Sequence, residues 1–243
     1  MKLFISANTY TGKQAEDCRY LTEVLEKKGH ECLFRENGDT AEGCDLILSL
    51  GGDGALLRAA GAALEYDLPL LGINSGRLGY LCAMEIEEIG DFDELLGKCR
   101  INERTVLECG RGDDSYLAVN DVIVSKHHFG ATVDLTVKIE GREDLDIRGD
   151  GLILATPTGS TAYNLSAGGP ELDHDAPVYT LTPICPHKSG ITPLVLSDEK
   201  EVKVFVNHDS AGLYVDGKDY GKSDEAITVR KSKRVLRLYE RKN

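Results

Sequence analysis

The chain has 243 residues, 41% of them hydrophobic, which excludes wholesale disorder and leaves room for one large or two small domains with a buried core. Acidic residues outnumber basic ones 41 to 28, and the formal net charge of −13 disfavours nonspecific binding to nucleic acid or to an anionic membrane surface. No apolar run approaches a membrane span, the seven cysteines contain no CxxC pair, and the start MKLFISANTY is too polar for a signal peptide, so the expectation is a reduced, cytoplasmic protein without membrane or nucleic-acid partners.

The first third alternates strand and helix. Leu3–Ile5 reads as a short buried strand, and Lys13–Lys28 carries Cys18, Leu21, Val24 and Leu25 at helical spacing, with Gly29 placed as a C-cap. Cys32–Phe34 and Asp45–Leu50 read as strands, Ala55–Leu64 as a helix, Leu68–Ile73 as a strand, and Glu87–Cys99 as an amphipathic helix. Strand–loop–helix–strand order with apolar strands implies a parallel sheet. From about residue 101 the period changes. Glu103–Cys109, Tyr116–Ser125, Thr132–Glu140, Gly151–Thr156, Val178–Ile184, Val202–Val206 and Leu213–Val215 read as strands, with one short helix after Gly159. Ala226–Tyr239 gives two further strand-like runs, whose basic residues read as a solvated face, with a phosphate role as the alternative. The expected domains are 1–99, with 226–243 returning to it, and 100–225.

Gly51-Gly52-Asp53-Gly54 follows a strand and opens a helix. Glycines let a ligand approach the backbone, and the N–H groups at a helix start favour phosphate. Asp53 is the anomaly, because a carboxylate is repelled by phosphate unless it accepts a proton, binds a hydroxyl or holds a metal; alternatively it caps the helix. The run from Gly149 to Tyr163 is a strand entering a turn rich in hydroxyls, Thr156, Thr158, Ser160 and Thr161. These hydroxyls can bind a sugar, a base edge or phosphates, Ser160 or Thr161 can cap the short helix, and Tyr163 can stack on a ring. Asn120-Asp121 lies inside an apolar run, where two polar side chains need partners or a ligand. His187, in Pro183–His187, is a candidate catalytic or structural histidine, and His127-His128 lacks metal spacing.

Taken together these segments resemble the NAD kinase family. The resemblance rests on the GGDG loop at 51–54, the GINxGxLG-type loop at 72–81, the Asn120-Asp121 pair, DGLILATPTGSTAYNLSAGGP from Asp150 to Pro170, and PICPH at 183–187. The GGDG loop also occurs in lipid kinases and phosphofructokinases, whereas the TPTGSTAY segment is highly specific. The resemblance implies an α/β N-terminal domain with a Rossmann-like, phosphofructokinase-like parallel sheet and a β-rich sandwich C-terminal domain. It implies an active site between them and a homodimer or homotetramer. The implied reaction is phosphorylation of the 2′-hydroxyl of the adenosine ribose of NAD by ATP (or polyphosphate) to give NADP, with Mg2+ or Mn2+ on the nucleotide.

Carried over residue by residue, Asp53 matches the family's proton acceptor, and Gly51, Gly52 and Gly54 line phosphates. Arg58 matches an arginine near phosphate, Asn120 and Asp121 the pair on a ribose, and Arg148 and Asp150 match residues that bind NAD. Thr161, Ala162, Tyr163 and Ser166 match adenosine and nicotinamide-side contacts. Asp121 replaces the commoner glutamate and reaches one methylene less far. Tyr80 replaces a phenylalanine, residues 188–191 differ from the family, and Val215-Asp216-Gly217-Lys218 has lysine where the family's late DGQ has glutamine. The alternatives are a GGDG-type lipid or small-molecule kinase, which would leave Asn120-Asp121 and TPTGSTAY without a use, and a catalytically silent dinucleotide sensor, which retention of Asp53 opposes.

Overall fold

The structure, a computed structural model, describes residues 1–7, 12–76, 80–128, 130–187, 190–208 and 211–242. The chain divides into two compact units, Met1–Glu103 with Leu236–Asn243, and Arg104–Val235. The sequence places the divisions at 99/100 and 225/226 instead.

In the first unit the elements run β1 (Lys2–Ala7), α1 (Gly12–Lys27), β2 (Glu31–Phe34), β3 (Leu46–Leu50), α2 (Asp53–Tyr66), β4 (Leu70–Asn74), β5 (Met84–Glu85) and α3 (Phe92–Lys98). The order β2-β1-β3-β4 is wholly parallel, and the returning C-terminal strand adds beside β4 through Leu238 and Leu70. One sheet face, with Leu3, Ile5, Leu46, Leu48, Leu71 and Ile73, is buried with Leu21 and Leu25 of α1. On the other face α2 packs close, and Leu56 lies where a side chain at Gly72 would stand. Burial on both faces explains why β3 is apolar at every position but Ser49. A single helix was expected over Glu87–Cys99. Instead a 3₁₀ turn spans Ile86–Asp91, and only then does α3 begin. Ile86, Ile89 and Phe92 are buried at a spacing of three, which matches the tighter helix.

The second unit holds β6 (Cys99–Arg111, entering from the first), β7 (Asp114–Ala118), β8 (Asp121–Ser125), β9 (Val133–Ile139), β10 (Leu145–Gly149), β11 (Gly151–Ala155), α4 (Tyr163–Ser166), β12 (Val178–Ile184), β13 (Leu194–Ser197), β14 (Val202–His208), β15 (Ala211–Val215), β16 (Lys218–Ser223) and β17 (Ile227–Arg241, leaving for the first). One antiparallel sheet has the order β13-β12-β11-β8-β15-β16; in another layer β10-β9-β14-β17 pair antiparallel. Their facing side chains, among them Val122, Leu152, Leu154, Tyr179 and Leu213 with Leu135, Val137, Val204 and Val229, form the sandwich core. The outer face of β11 is buried as well, with Ile153 and Ala155 in a second small cluster.

Three readings are corrected here. Tyr116–Ser125 is two strands, because the backbone breaks at Val119–Asn120. Ala226–Tyr239 is one strand, β17; Arg230, Lys231, Lys233 and Arg234 stay exposed and Arg237 is half-buried, while Ser232 turns inward and takes the Arg234 N–H on its Oγ at 3.0 Å. Strands β10, β13 and β16 are sheet edges lying in segments read as turns; polar residues hide the period of β10 and β16, and β13 is only four residues long. All seven cysteines are free thiols. No helix among the described residues is long and apolar enough to cross a membrane.

Candidate active site

The glycine loop is held from both sides. Gly51 has φ of 138°, and a Cβ there would stand 2.8 Å from Ala55 Cβ, so only glycine turns β3 directly into α2. The N-cap of α2 is Gly52, without a side-chain cap, and Asp53 is the first helical residue. The capping alternative for Asp53 therefore fails. Its carboxylate instead accepts the N–H groups of Tyr80 at 3.1 Å and Leu81 at 3.0 Å, one on each oxygen. The Cys82 thiol lies 3.5 Å from the Gly51 carbonyl, and burial with the nearby Asp53 and Glu85 charges pushes that thiol up to about 12, which keeps it an inert neutral group. Asn74 opens the same loop by accepting the Gly76 N–H and donating to Glu85 at 2.8 Å. Residues 77–79 of this motif lie outside the described residues. Gly54 and Arg58 are exposed on the first turns of α2, and the Arg58 carbonyl accepts Arg35 Nη1 at 3.2 Å.

In the second unit the pieces read separately in the sequence converge on one strand break. The Asn120 carbonyl accepts the Thr156 N–H at 2.9 Å, and Thr156 Oγ1 donates to the Val119 carbonyl at 2.5 Å while accepting the Gly159 N–H at 3.0 Å. A Cβ at Gly159 would lie 2.0 Å from the Asn120 carbonyl oxygen, so the turn can seat on the break only with glycine there. The Asn120 Oδ1 atom is buried with no hydrogen-bond partner among the described residues. Beside it Asp121 is buried, and no described residue hydrogen-bonds its carboxyl group. Burial first, and the Asp216 charge second, push Asp121 up to about 7.

The hydroxyl-rich turn divides its labour. Thr156 and Ser160, expected as possible ligand groups, serve the protein: Ser160 Oγ donates to the Pro157 carbonyl at 2.7 Å and accepts the Leu172 N–H at 3.0 Å. Neither Ser160 nor Thr161 caps α4, whose N-cap is Ala162 in an irregular conformation, φ −91° and ψ −127°. Thr161, Tyr163 and Ser166 are exposed, Ala162 is half-buried, and Asn164 turns fully inward. One face of the segment is thus presented outward and the other is fixed.

Asp150 is paired with Lys126, Nζ to Oδ1 at 2.7 Å. Arg148 is exposed, with Nε 3.6 Å from Asp134, and its carbonyl accepts the His187 N–H at 2.8 Å, which ties the PICPH turn to this strand end. The His187 ring is exposed.

Sequence reasoning missed two residues. Asn164 donates to the Ser160 and Pro170 carbonyls, both at 2.9 Å, and accepts from Thr180 at 2.9 Å and Thr182 at 2.7 Å. Asp216 accepts the N–H groups of Val119, Asn120 and Asp121 at 2.8, 2.7 and 3.1 Å. Both stand in segments that carry the family resemblance, Asp216 in the DGQ-like turn and Asn164 in the run from Asp150 to Pro170, but their roles do not show there: the amides that Asp216 binds lie up to 97 positions away.

The ATP-NAD kinase N-terminal domain matches residues 11–99, and the ATP-NAD kinase C-terminal domain matches residues 119–241. The chain belongs to the NAD kinase family. The NAD kinase of Clostridium botulinum strain Kyoto is 36% identical over 237 residues, 93% of this chain and 84% of that one. The NAD kinase of Sulfurimonas denitrificans is 34% identical over 203 residues, 80% of this chain and 72% of that one. Among solved structures, an NAD kinase from Archaeoglobus fulgidus in complex with ATP has a TM-score of 0.84 at 30% identity, covering 100% of this chain and 94% of that one. A yeast NADH kinase complexed with NADH shares the fold, with a TM-score of 0.86 at 23% identity, 100% and 84% of the two chains. The activity is that of an NAD kinase family phosphotransferase, phosphorylation of NAD. The parallel α/β unit and the antiparallel sandwich are the two domains of this family, and the lipid-kinase and silent-sensor alternatives are set aside.

Proposed function

We propose that Asn120 and Asp121 bind the dinucleotide, and that Asp53 guides the 2′-hydroxyl of the adenosine ribose to the γ-phosphorus of ATP. The observation that carries this reading is Asn120 Oδ1, buried with no hydrogen-bond partner among the described residues, next in sequence to the buried Asp121 at the strand break. A buried acceptor without a partner costs about 1–3 kcal/mol, which a ribose hydroxyl recovers by donating to Asn120 Oδ1, while the second hydroxyl of the diol can donate to Asp121. Thr161, Tyr163 and Ser166 are exposed on the outer face of the neighbouring segment, where they can meet a nucleoside. Incubation with ATP and NAD, followed by a dehydrogenase assay specific for NADP, tests the reading; no NADP under conditions where the protein is folded would refute it.

Phosphoryl transfer asks for alignment and charge neutralisation more than for covalent help. The Gly51 N–H is spent on the Ile73 carbonyl at 2.9 Å, so Gly51 serves the turn and not a phosphate; the amides of Gly52 and Gly54 and the start of α2 supply positive potential for phosphates, with Arg58 one turn further on. Asp53 is too weak a base to ionise a ribose hydroxyl outright, so it orients the hydroxyl and takes the proton late, as the new P–O bond forms. No cluster of three or more His, Cys, Asp or Glu among the described residues suits a resident metal. The divalent cation, Mg2+ or Mn2+, would accompany ATP as the metal–nucleotide substrate and neutralise phosphate charge there. A homodimer or homotetramer and a cytoplasmic location complete the proposal.

Two expected results follow from the dinucleotide assignment. Thr161→Val or Ser166→Ala raises KM for NAD by about 5- to 50-fold, the loss of one hydrogen bond, and leaves KM for ATP near its original value; equal changes for both substrates contradict the placement. The second concerns pH. Asp121 sits near 7 in the free protein, and a ribose hydroxyl donates to its ionised form, so below that point a proton must leave before NAD binds. KM for NAD should rise as pH falls from about 8 to about 6, approaching tenfold per unit at the acid end. Because the folded pKa is raised, the same group costs the free protein stability as pH climbs from the ordinary carboxylate range to about 7. Asp121→Asn should flatten both dependences, as read by KM and by melting temperature across that range.

A further inference from the structure

Asp216 lies in the two-residue turn that joins β15 to β16. Val215 pairs with Lys218, and Asp216 and Gly217 have φ of 48° and 75°, the geometry of a type I′ hairpin. The turn itself does not need a carboxylate; asparagine serves the same conformation. Yet the Asp216 side chain is sent across to β7 and β8. Oδ2 accepts the Val119 N–H at 2.8 Å, Oδ1 accepts those of Asn120 and Asp121 at 2.7 and 3.1 Å, and the Asp216 N–H returns to the Asp121 carbonyl at 3.0 Å. Three successive amides converging on one carboxylate cannot all join a strand ladder, so this contact is what interrupts the apolar run between Ala118 and Val122.

The interruption has two consequences at the site. It turns the Asn120 carbonyl to the Thr156 N–H and against Gly159, which seats the 156–161 turn. It also leaves Asn120 Oδ1 buried with no hydrogen-bond partner among the described residues, with the buried Asp121 next in the chain and its carboxyl bonded by none of them.

We propose that Asp216 is a positioning residue for the dinucleotide: it builds the Asn120-Asp121 break, and so sets NAD affinity without touching the transferred phosphoryl group. The proposal rests on the assignment of Asn120 and Asp121 to NAD. Asp216 is also the charged group that acts on Asp121; the residues facing Asp121 and its neighbour from the flanking strands, Ala155 on β11 and Val215 on β15, are uncharged. Removing the Asp216 charge therefore lets Asp121 ionise at lower pH.

The experiment is steady-state kinetics on Asp216→Asn and Asp216→Ala at saturating ATP, across pH. Asparagine keeps the left-handed turn and one acceptor oxygen, but sets an amide N–H2 against a backbone donor. Asp216→Ala is expected to raise KM for NAD by about 10- to 100-fold, since charge-assisted bonds are lost, with a smaller rise for Asp216→Asn. KM for ATP should stay within about twofold, and kcat should fall far less than KM for NAD rises. In Asp216→Asn the acid limb of kcat/KM for NAD should also move to lower pH. A folded Asp216→Asn with unchanged KM for NAD, an equal rise for both substrates, an immobile acid limb, or loss of folding in both variants would overturn the proposal. Wild-type protein that makes no NADP is a different failure: it removes the NAD assignment itself, and is seen before the variants are compared.

Discussion

Replacement of Asp53 by asparagine should lower kcat by about 10²–10⁴-fold, about 3–5 kcal/mol, while NAD still binds. The substitution keeps the volume and one acceptor oxygen. Of the two backbone donors that now reach Asp53, Tyr80 and Leu81, one would face the new amide N–H2. The loop contact is therefore weakened as well as the proton acceptor removed. The two effects separate in kinetics. Loss of the proton acceptor lowers kcat with KM for NAD little changed, whereas a displaced loop raises KM for the nucleotide donor. Asp53→Glu is the useful companion, because it retains basicity but lengthens the reach by a methylene; partial activity there with almost none in Asp53→Asn would mark the carboxylate chemistry as decisive. Turnover in Asp53→Asn within about tenfold of the original would show that Asp53 serves the loop alone.

The second large effect is expected on stability. Asn164 is fully buried and makes four hydrogen bonds, two as donor to the Ser160 and Pro170 carbonyls and two as acceptor from Thr180 and Thr182. The amide is the only kind of side chain of this size that offers two donors and an acceptor together. Asn164→Ala leaves two carbonyls and two hydroxyls in a dry site, at about 1–3 kcal/mol for each group that finds no new partner. Since the hydroxyls can rotate, the expected loss is about 3–5 kcal/mol in urea unfolding, among the largest a single substitution gives. Asn164→Asp tests the cause. It keeps the acceptor for both threonines but loses the donors, so its deficit should grow as pH rises and the carboxyl ionises. A loss below about 1 kcal/mol in Asn164→Ala would mean that the network relaxes and does not fix the segment. Because Thr161, Tyr163 and Ser166 ride on the outer side of the same turn, a folded Asn164 variant should also bind NAD more weakly.

The linear sequence determined the α/β first unit, the β-rich second unit and the chemical vocabulary of the site. Periodicity suffices where an element is buried on one or both faces: Leu46–Leu50 and Gly151–Ala155 read as strands because burial demands apolar residues there. The glycine loop and the TPTGSTAY segment are also legible, since close backbone approach restricts residue type locally. What tertiary structure alone decided is which polar groups are already spent. Thr156 and Ser160 look like ligand hydroxyls in the sequence, yet both are used up holding the turn, while Asn120 Oδ1 is left without a partner among the described residues. The roles of Asp216 and Asn164 are not legible locally, because the amides that Asp216 binds and the two threonines that donate to Asn164 are brought to them by the sandwich. Hydrogen-bond satisfaction is a sum over neighbours in space, and neighbours along the chain supply only part of it.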